Sequence, residues 1–101
     1  MNMQLDRKAI GKYIEVSTAH ITKEDNELLG SMKPESLCVY EFTYGYMVCV
    51  EDDPDSFEFM LKEGFSEIFV AIMKSASDLG MNWILFDCDG LTHDNFEQFN
   101  W

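Results

Sequence analysis

The sequence predicts an α+β fold of the βαββαβ, ferredoxin-like kind, with an antiparallel sheet, two helices on one face and an extended aromatic C-terminal tail. Three observations carry this. Phe65, Ile68, Phe69, Ile72, Met73, Ala76 and Leu79 make one apolar stripe at helical period, with Ser66, Glu67, Lys74, Ser75, Ser77 and Asp78 on the opposite side. Trp83-Ile84-Leu85-Phe86 follows with no polar interruption, as in a strand buried on both faces. Between residues 37 and 51, two aromatic and β-branched runs flank Tyr44-Gly45, the pattern of a hairpin.

Taken in order, Met1 to Gly11 has mixed charge and weak periodicity and reads as an arm or a single helical turn. Lys12 to Thr18 alternates, giving a first strand with Ile14 and Val16 toward the core. Thr22-Lys23-Glu24-Asp25 is a capping box opening a helix of about two turns, with Leu28, Leu29 and Met32 as its apolar face and Gly30 and Pro34 ending it. Leu37 to Thr43 and Tyr46 to Glu51 pair across Tyr44-Gly45, where Gly45 is expected to take positive φ. That turn sets Tyr40 opposite Cys49 and Phe42 opposite Met47 on one face, with Leu37, Val39, Val48 and Val50 on the other. Both faces are then apolar, and the one away from the helices needs a cover: the C-terminal tail, a second copy or a partner.

Glu51-Asp52-Asp53-Pro54-Asp55-Ser56-Phe57-Glu58 holds five acids, and Pro54 forbids a central strand, so the stretch is exposed. Asp53-Pro54 is alternatively the cap of a short helix through Leu61, since Phe57, Met60 and Leu61 have helical spacing. In the main helix Ser66 is the N-cap, Glu67 complements the first turn, and Gly80 stands at the left-handed closing position just past Leu79. Asp87-Cys88-Asp89-Gly90 is a turn. Leu91, Phe96, Phe99 and Trp101 are spaced too irregularly for a strand, so residues 91–101 form the tail.

The 101 residues are expected to make one domain, residues 1–101, able to bury roughly two-thirds of the extended surface. No apolar run reaches the roughly 18 residues of a membrane span, and the opening residues lack the pattern of a signal peptide, so a cytoplasmic protein is expected. Cys38, Cys49 and Cys88 lie mostly in apolar runs and read as reduced, buried thiols. The charge is uneven. Five acids and five bases balance within residues 1–34, whereas residues 35–101 hold fourteen acids against Lys62 and Lys74 and carry the whole net charge of −12. Such a surface disfavours direct binding to nucleic acid or an anionic membrane and favours a basic partner.

Ile14-Glu15-Val16-Ser17-Thr18-Ala19-His20, the Tyr44-Gly45-Tyr46 hairpin, Asp87-Cys88-Asp89-Gly90 and the closing Trp101 resemble a family of small proteins common on bacterial mobile elements and prophages. The resemblance is spread over most of the chain and implies a mobile-element setting. Small acidic proteins from such settings include anti-CRISPR and anti-restriction inhibitors that resemble nucleic acid in charge.

Several constellations compete as sites. Asp87-x-Asp89-Gly after a strand resembles the carboxylates of magnesium-dependent phosphotransferases, but the chain has no room for their α/β core, lysine and second acidic motif. A small metal-dependent enzyme or ion-binding module centred on Asp87 and Asp89, in which Asp52-Asp53 could join the ion, is the alternative reading. Cys38, Cys49, Cys88, His20 and His93 lack the short spacing of a zinc knuckle, and His20 reads as a residue orienting the strand-to-helix turn by a hydrogen bond. No catalytic residue, metal or cofactor is therefore expected. The expected partner-binding residues are Glu51, Asp52, Asp53, Asp55, Glu58, Asp87 and Asp89, imitating phosphates toward a basic nucleic-acid-binding surface of a host defence complex. Tyr40, Phe42, Tyr44, Tyr46 and Met47 supply an apolar partner or homodimer surface. A homodimeric structural module is a third reading.

Overall fold

Capping chemistry sets where the helices start in the computed structural model, which describes residues 3–31 and 33–101. Thr22 opens helix α1 (Lys23–Gly30) with the expected capping box, its Oγ1 accepting from the Asp25 N–H at 3.0 Å while Asp25 Oδ2 accepts from the Thr22 N–H at 3.1 Å. Asp53 caps α2 (Pro54–Glu63), with Pro54 in its first turn, so the helical alternative for this stretch holds. Ser66 caps α3 (Glu67–Asp78) by accepting from the Phe69 N–H at 3.1 Å, and Gly80 takes φ +77 just beyond its end. Met1, Asn2 and Met32, the last expected on the apolar face of the first helix, lie outside the described residues.

Strands β1 (Tyr13–Ser17), β2 (Val39–Phe42), β3 (Gly45–Cys49) and β4 (Trp83–Asp87) form one sheet in the order β1-β4-β3-β2. The α+β class holds, but the antiparallel ferredoxin-like sheet gives way to a mixed one. β4 lies parallel to β1 and antiparallel to β3, which is itself antiparallel to β2. The cause is α2. A single helix between β3 and β4 would return the chain parallel to β3, whereas two helices add one more reversal and deliver β4 antiparallel to it.

The core occupies one face of the sheet. Val16, Val48, Ile84 and Phe86 meet Phe69, Ile72, Met73 and Ala76 of α3, Met60 of α2 and Leu29 of α1. Phe69 stacks between Phe65 and Phe86, with centroids 4.3 and 5.7 Å away. Each such side chain contributes about 1.5–3 kcal/mol by leaving water. β4 was expected to be buried on both faces. It is central, but its burial alternates, because no layer covers the face carrying Trp83 and Leu85.

The hairpin keeps its expected faces and shifts its register. Tyr40 pairs with Met47 and Phe42 with Gly45, and the turn is Thr43-Tyr44. A shift of two residues leaves every side chain on its side of the sheet. Gly45 is a strand residue outside the positive-φ set. It is glycine because a Cβ there would stand 1.8 Å from the Phe86 carbonyl oxygen on the neighbouring strand.

Asp25 ties the helices together and is 0% exposed. Besides closing the α1 cap, its Oδ1 accepts from the Ser66 N–H at 2.8 Å and its Oδ2 from the Ser66 hydroxyl at 2.6 Å, so one buried carboxylate joins the N-termini of α1 and α3. Glu63 does a lesser version of this at the end of α2. Its two oxygens accept from the N–H groups of Glu35 and Ser36, each at 2.8 Å. Burial opposes ionisation of Glu63, but hydrogen bonds from Ser36 and Glu35 outweigh it and hold the carboxyl below its usual range. A folded-state pKa below the unfolded value contributes stability above pH about 4.3, and this is lost as pH falls through the folded value. Glu63→Gln should therefore lower stability at pH 7 by on the order of 1 kcal/mol, one hydrogen bond. The gap from wild type should close as melting is followed down below pH about 4. A gap independent of pH would contradict this role.

Candidate functional site: an acidic end and an open sheet face

The five acids of residues 51–58 are brought together where the chain leaves β3 and enters α2. Asp52, Asp53, Asp55 and Glu58 are exposed and Glu51 is half-buried, its N–H directed to Met73 Sδ at 3.3 Å. Asp53 Oδ1 accepts from the Asp55 N–H at 3.0 Å. The positive end of α2 favours negative charge here, so the fold itself tolerates this crowding. Glu58 reaches Lys62 at 3.4 Å, the one ion pair among the described residues, and both side chains are largely solvated. Asp55, Glu58, Phe59 and Lys62 line a shallow groove of about 230 Å³.

Asp87 and Asp89 do not join this group. Val50 N–H donates to the Asn82 carbonyl and Cys49 pairs with Trp83, so the acidic stretch leaves the sheet at the Trp83 end, while Asp87 pairs with Gly45 at the other end. The separation along β4 is about 13 Å. An ion site shared between the two groups is therefore ruled out by topology. On their own, Asp87, Cys88 and Asp89 place three ligand-type atoms within 4.8 Å of one another. This exposed turn supplies two carboxylates and a soft sulfur, short of the roughly six to eight oxygens calcium takes. Asp87 Oδ1 is also engaged by the Asp89 N–H at 2.8 Å.

The face away from the helices carries Tyr13, Tyr40, Phe42, Met47, Cys49, Trp83 and Leu85, as register and alternation require. Tyr13 and Tyr40 are 58% and 59% exposed, and Tyr40 lies against Trp83 with ring centroids 5.8 Å apart. Glu15 and Asp87 stand on the same face at its Gly45 end. Of the expected apolar residues, Tyr40, Phe42 and Met47 are here and Tyr44 is exposed in the turn. Tyr46 is not. It neighbours Met47, so its side chain must point to the core side, where it packs against the core and its hydroxyl donates to the Asn26 carbonyl at 3.4 Å. Tyr13, Trp83 and Leu85 were missed. The signal was their alternation with Ile14, Ile84 and Phe86, but sequence alone does not say which face stays open.

The tail leaves that face uncovered, because it is held at the other side of the molecule. Ser17 N–H donates to the Leu91 carbonyl at 2.9 Å, and the Trp101 indole N–H to the Ile21 carbonyl at 3.0 Å. His20, 0% exposed, accepts the His93 backbone N–H on Nε2 at 2.8 Å, which leaves Nδ1 to donate to the Glu97 carbonyl at 2.8 Å. Its hydrogen bonds thus anchor the tail and not the strand-to-helix turn. Between tail, β1 and α3 lies a half-open cavity of about 540 Å³ with Ile14, Val16, Ile72 and Ala76 in its wall.

The cysteines also differ from expectation. Cys38 and Cys88 are exposed and Cys49 is half-buried. Cys38 precedes β2 and Cys88 lies in the turn after β4, where backbone hydrogen bonding and not apolar cover fixes the chain. Burial, followed by its hydrogen bond and charge interaction with Cys38 and the charge of Glu51, pushes the Cys49 thiol up to about 11.

Among the described residues no helix is long and apolar enough to cross a membrane. Residues 13–101 match the C-terminal domain of a family of unknown function, DUF5983. No curated protein and no solved structure was found to match. The match spans all four strands and three helices, and the chain belongs to this family.

Proposed function

We propose that this member of the family is a non-enzymatic, acidic interaction protein of a mobile element. On this reading it acts in the cytoplasm, where its carboxylates imitate phosphates and occupy the basic, nucleic-acid-binding surface of a host defence complex, in the manner of an anti-CRISPR or anti-restriction inhibitor. The observation that carries the reading is unpaired charge. Four exposed carboxylates and a half-buried fifth gather at one end of the molecule, and only Glu58 has a cation beside it among the described residues. Of the five, Asp53 caps α2 and Glu58 meets Lys62, whereas no cation stands beside Glu51, Asp52 or Asp55 among the described residues.

The open sheet face supports the same partner. Its centre is aromatic and apolar, the composition of binding hot spots, and its Gly45 end carries Glu15 and Asp87. A second copy would set like charges together across a chain of net charge −12, whereas a partner with arginines or lysines around an apolar centre complements it. Light scattering should accordingly find the isolated chain monomeric at tens of micromolar. A stable dimer would assign the face to a second copy instead.

The direct test is displacement of labelled DNA or RNA from nucleic-acid-guided defence complexes. Displacement should be strong at low salt and weaken at least tenfold as ionic strength rises toward 0.5 M, because screening removes both steering and pairing. Displacement indifferent to salt, or none with any such complex, would overturn the reading.

A further inference from the structure

Cys38 and Cys49 are cross-strand neighbours. Their positions continue the β2–β3 register one step beyond Val39 and Val48, and the Cys49 N–H donates to the Cys38 carbonyl at 3.0 Å. In an antiparallel ladder, residues paired in this way have Cα atoms about 5.5 Å apart, inside the roughly 4.4–6.8 Å that a disulfide spans. Both side chains point to the open sheet face, since Cys49 alternates with Val48 and Cys38 with Val39, which flank the core on the other side. Both are free thiols, and Cys38 is exposed to any small reagent.

We propose that Cys38 and Cys49 form a redox modification site, which a hydroperoxide closes to an intramolecular cross-strand disulfide. Cys38 is the attacking residue, since it is the exposed one of the pair. Its thiolate attacks one peroxide oxygen, the O–O bond breaks, and Cys38 becomes a sulfenic acid as hydroxide or alkoxide leaves. The Cys49 sulfur then attacks the Cys38 sulfur, the S–O bond breaks, and the departing hydroxide takes the Cys49 proton. Two thiols and one hydrogen peroxide thus give one disulfide and two waters. The raised pKa of Cys49 keeps it protonated, so Cys38 meets peroxide first, and Cys49 must give up its proton in its own attack. Tyr40 is two residues from Cys38 on the same face, and its interaction with Cys38 raises the phenol's pKa. Cys88 cannot compete for the pair. Its N–H is bonded to the Tyr44 carbonyl at 2.9 Å, at the opposite end of the sheet.

The test uses the full chain and its Cys88→Ser variant, exposed to hydrogen peroxide and quenched with an alkylating reagent. Non-reduced peptide mapping should find a Cys38–Cys49 link in both proteins, with a mass lower by two hydrogens and restored by dithiothreitol. Cys38→Ser and Cys49→Ser should each abolish that link. The proposal is overturned if both thiols remain alkylatable under conditions that oxidise Cys88. A cross-link found only between chains, or Cys38 advancing to a sulfinic acid beside a free Cys49, overturns it as well.

Discussion

Asp25→Ala should lower the unfolding free energy by about 3–5 kcal/mol, the range for removing one member of a buried charged network. The loss has identifiable parts. The Ser66 N–H, the Ser66 hydroxyl and the Thr22 N–H all donate to this carboxylate, at 2.8, 2.6 and 3.1 Å. Each is left unsatisfied in a site that water does not reach, at about 1–3 kcal/mol apiece before relaxation. Two helix N-termini lose their shared acceptor at once, and with it the negative charge that their dipoles favour. For a domain of this size such a change should move the melting temperature down by about 15 °C or more. In urea the midpoint should fall with an unchanged slope. Asp25→Asn keeps the shape but turns a donor toward the Ser66 N–H or hydroxyl, so it should recover only part of the loss. A cost below about 1 kcal/mol for Asp25→Ala would show that the two helix ends are held by packing alone.

That tie also shows where sequence reasoning reached its limit. The capping box identified Asp25 as a local cap of α1, but its second partner, Ser66, is 41 residues further along the chain and was read as an independent cap of α3. Local signals such as the stripe from Phe65 to Leu79, the serine and threonine caps and Gly80 each describe a few neighbouring residues, and the structure keeps them. Strand direction depends on how many times the chain reverses. It turned on α2, whose short apolar pattern lies among acids behind Pro54. Gly45 misled in the same way: glycine is used for positive φ or for close approach, and only the neighbouring Phe86 carbonyl distinguishes the two. Of the candidate site, the acidic stretch was legible because charge needs no tertiary context to be counted. The open face was half legible, since alternation assigns Tyr40 and Phe42 to a side but nothing local says that the tail packs elsewhere.

The second large effect is expected in binding. Changing Glu51, Asp52, Asp53, Asp55 and Glu58 together to Gln or Asn should cost several kcal/mol of affinity for the basic partner, since charge-assisted contacts are worth about 1.5–3 kcal/mol each and combine imperfectly. Asparagine is the replacement required at position 53, because Asp53 caps α2 and asparagine caps a helix about as well. With that choice, the fold should keep its stability within about 0.5 kcal/mol, as relief of like-charge crowding offsets the lost interaction of Asp55 with the helix dipole and of Glu58 with Lys62. Competition of wild type and this five-site variant against DNA or RNA, for the same nucleic-acid-guided defence complex at low salt, puts the phosphate imitation to its most direct test. Wild type should displace the nucleic acid while the equally stable variant should need at least about a hundredfold higher concentration. Equal displacement by the two proteins would contradict the imitation.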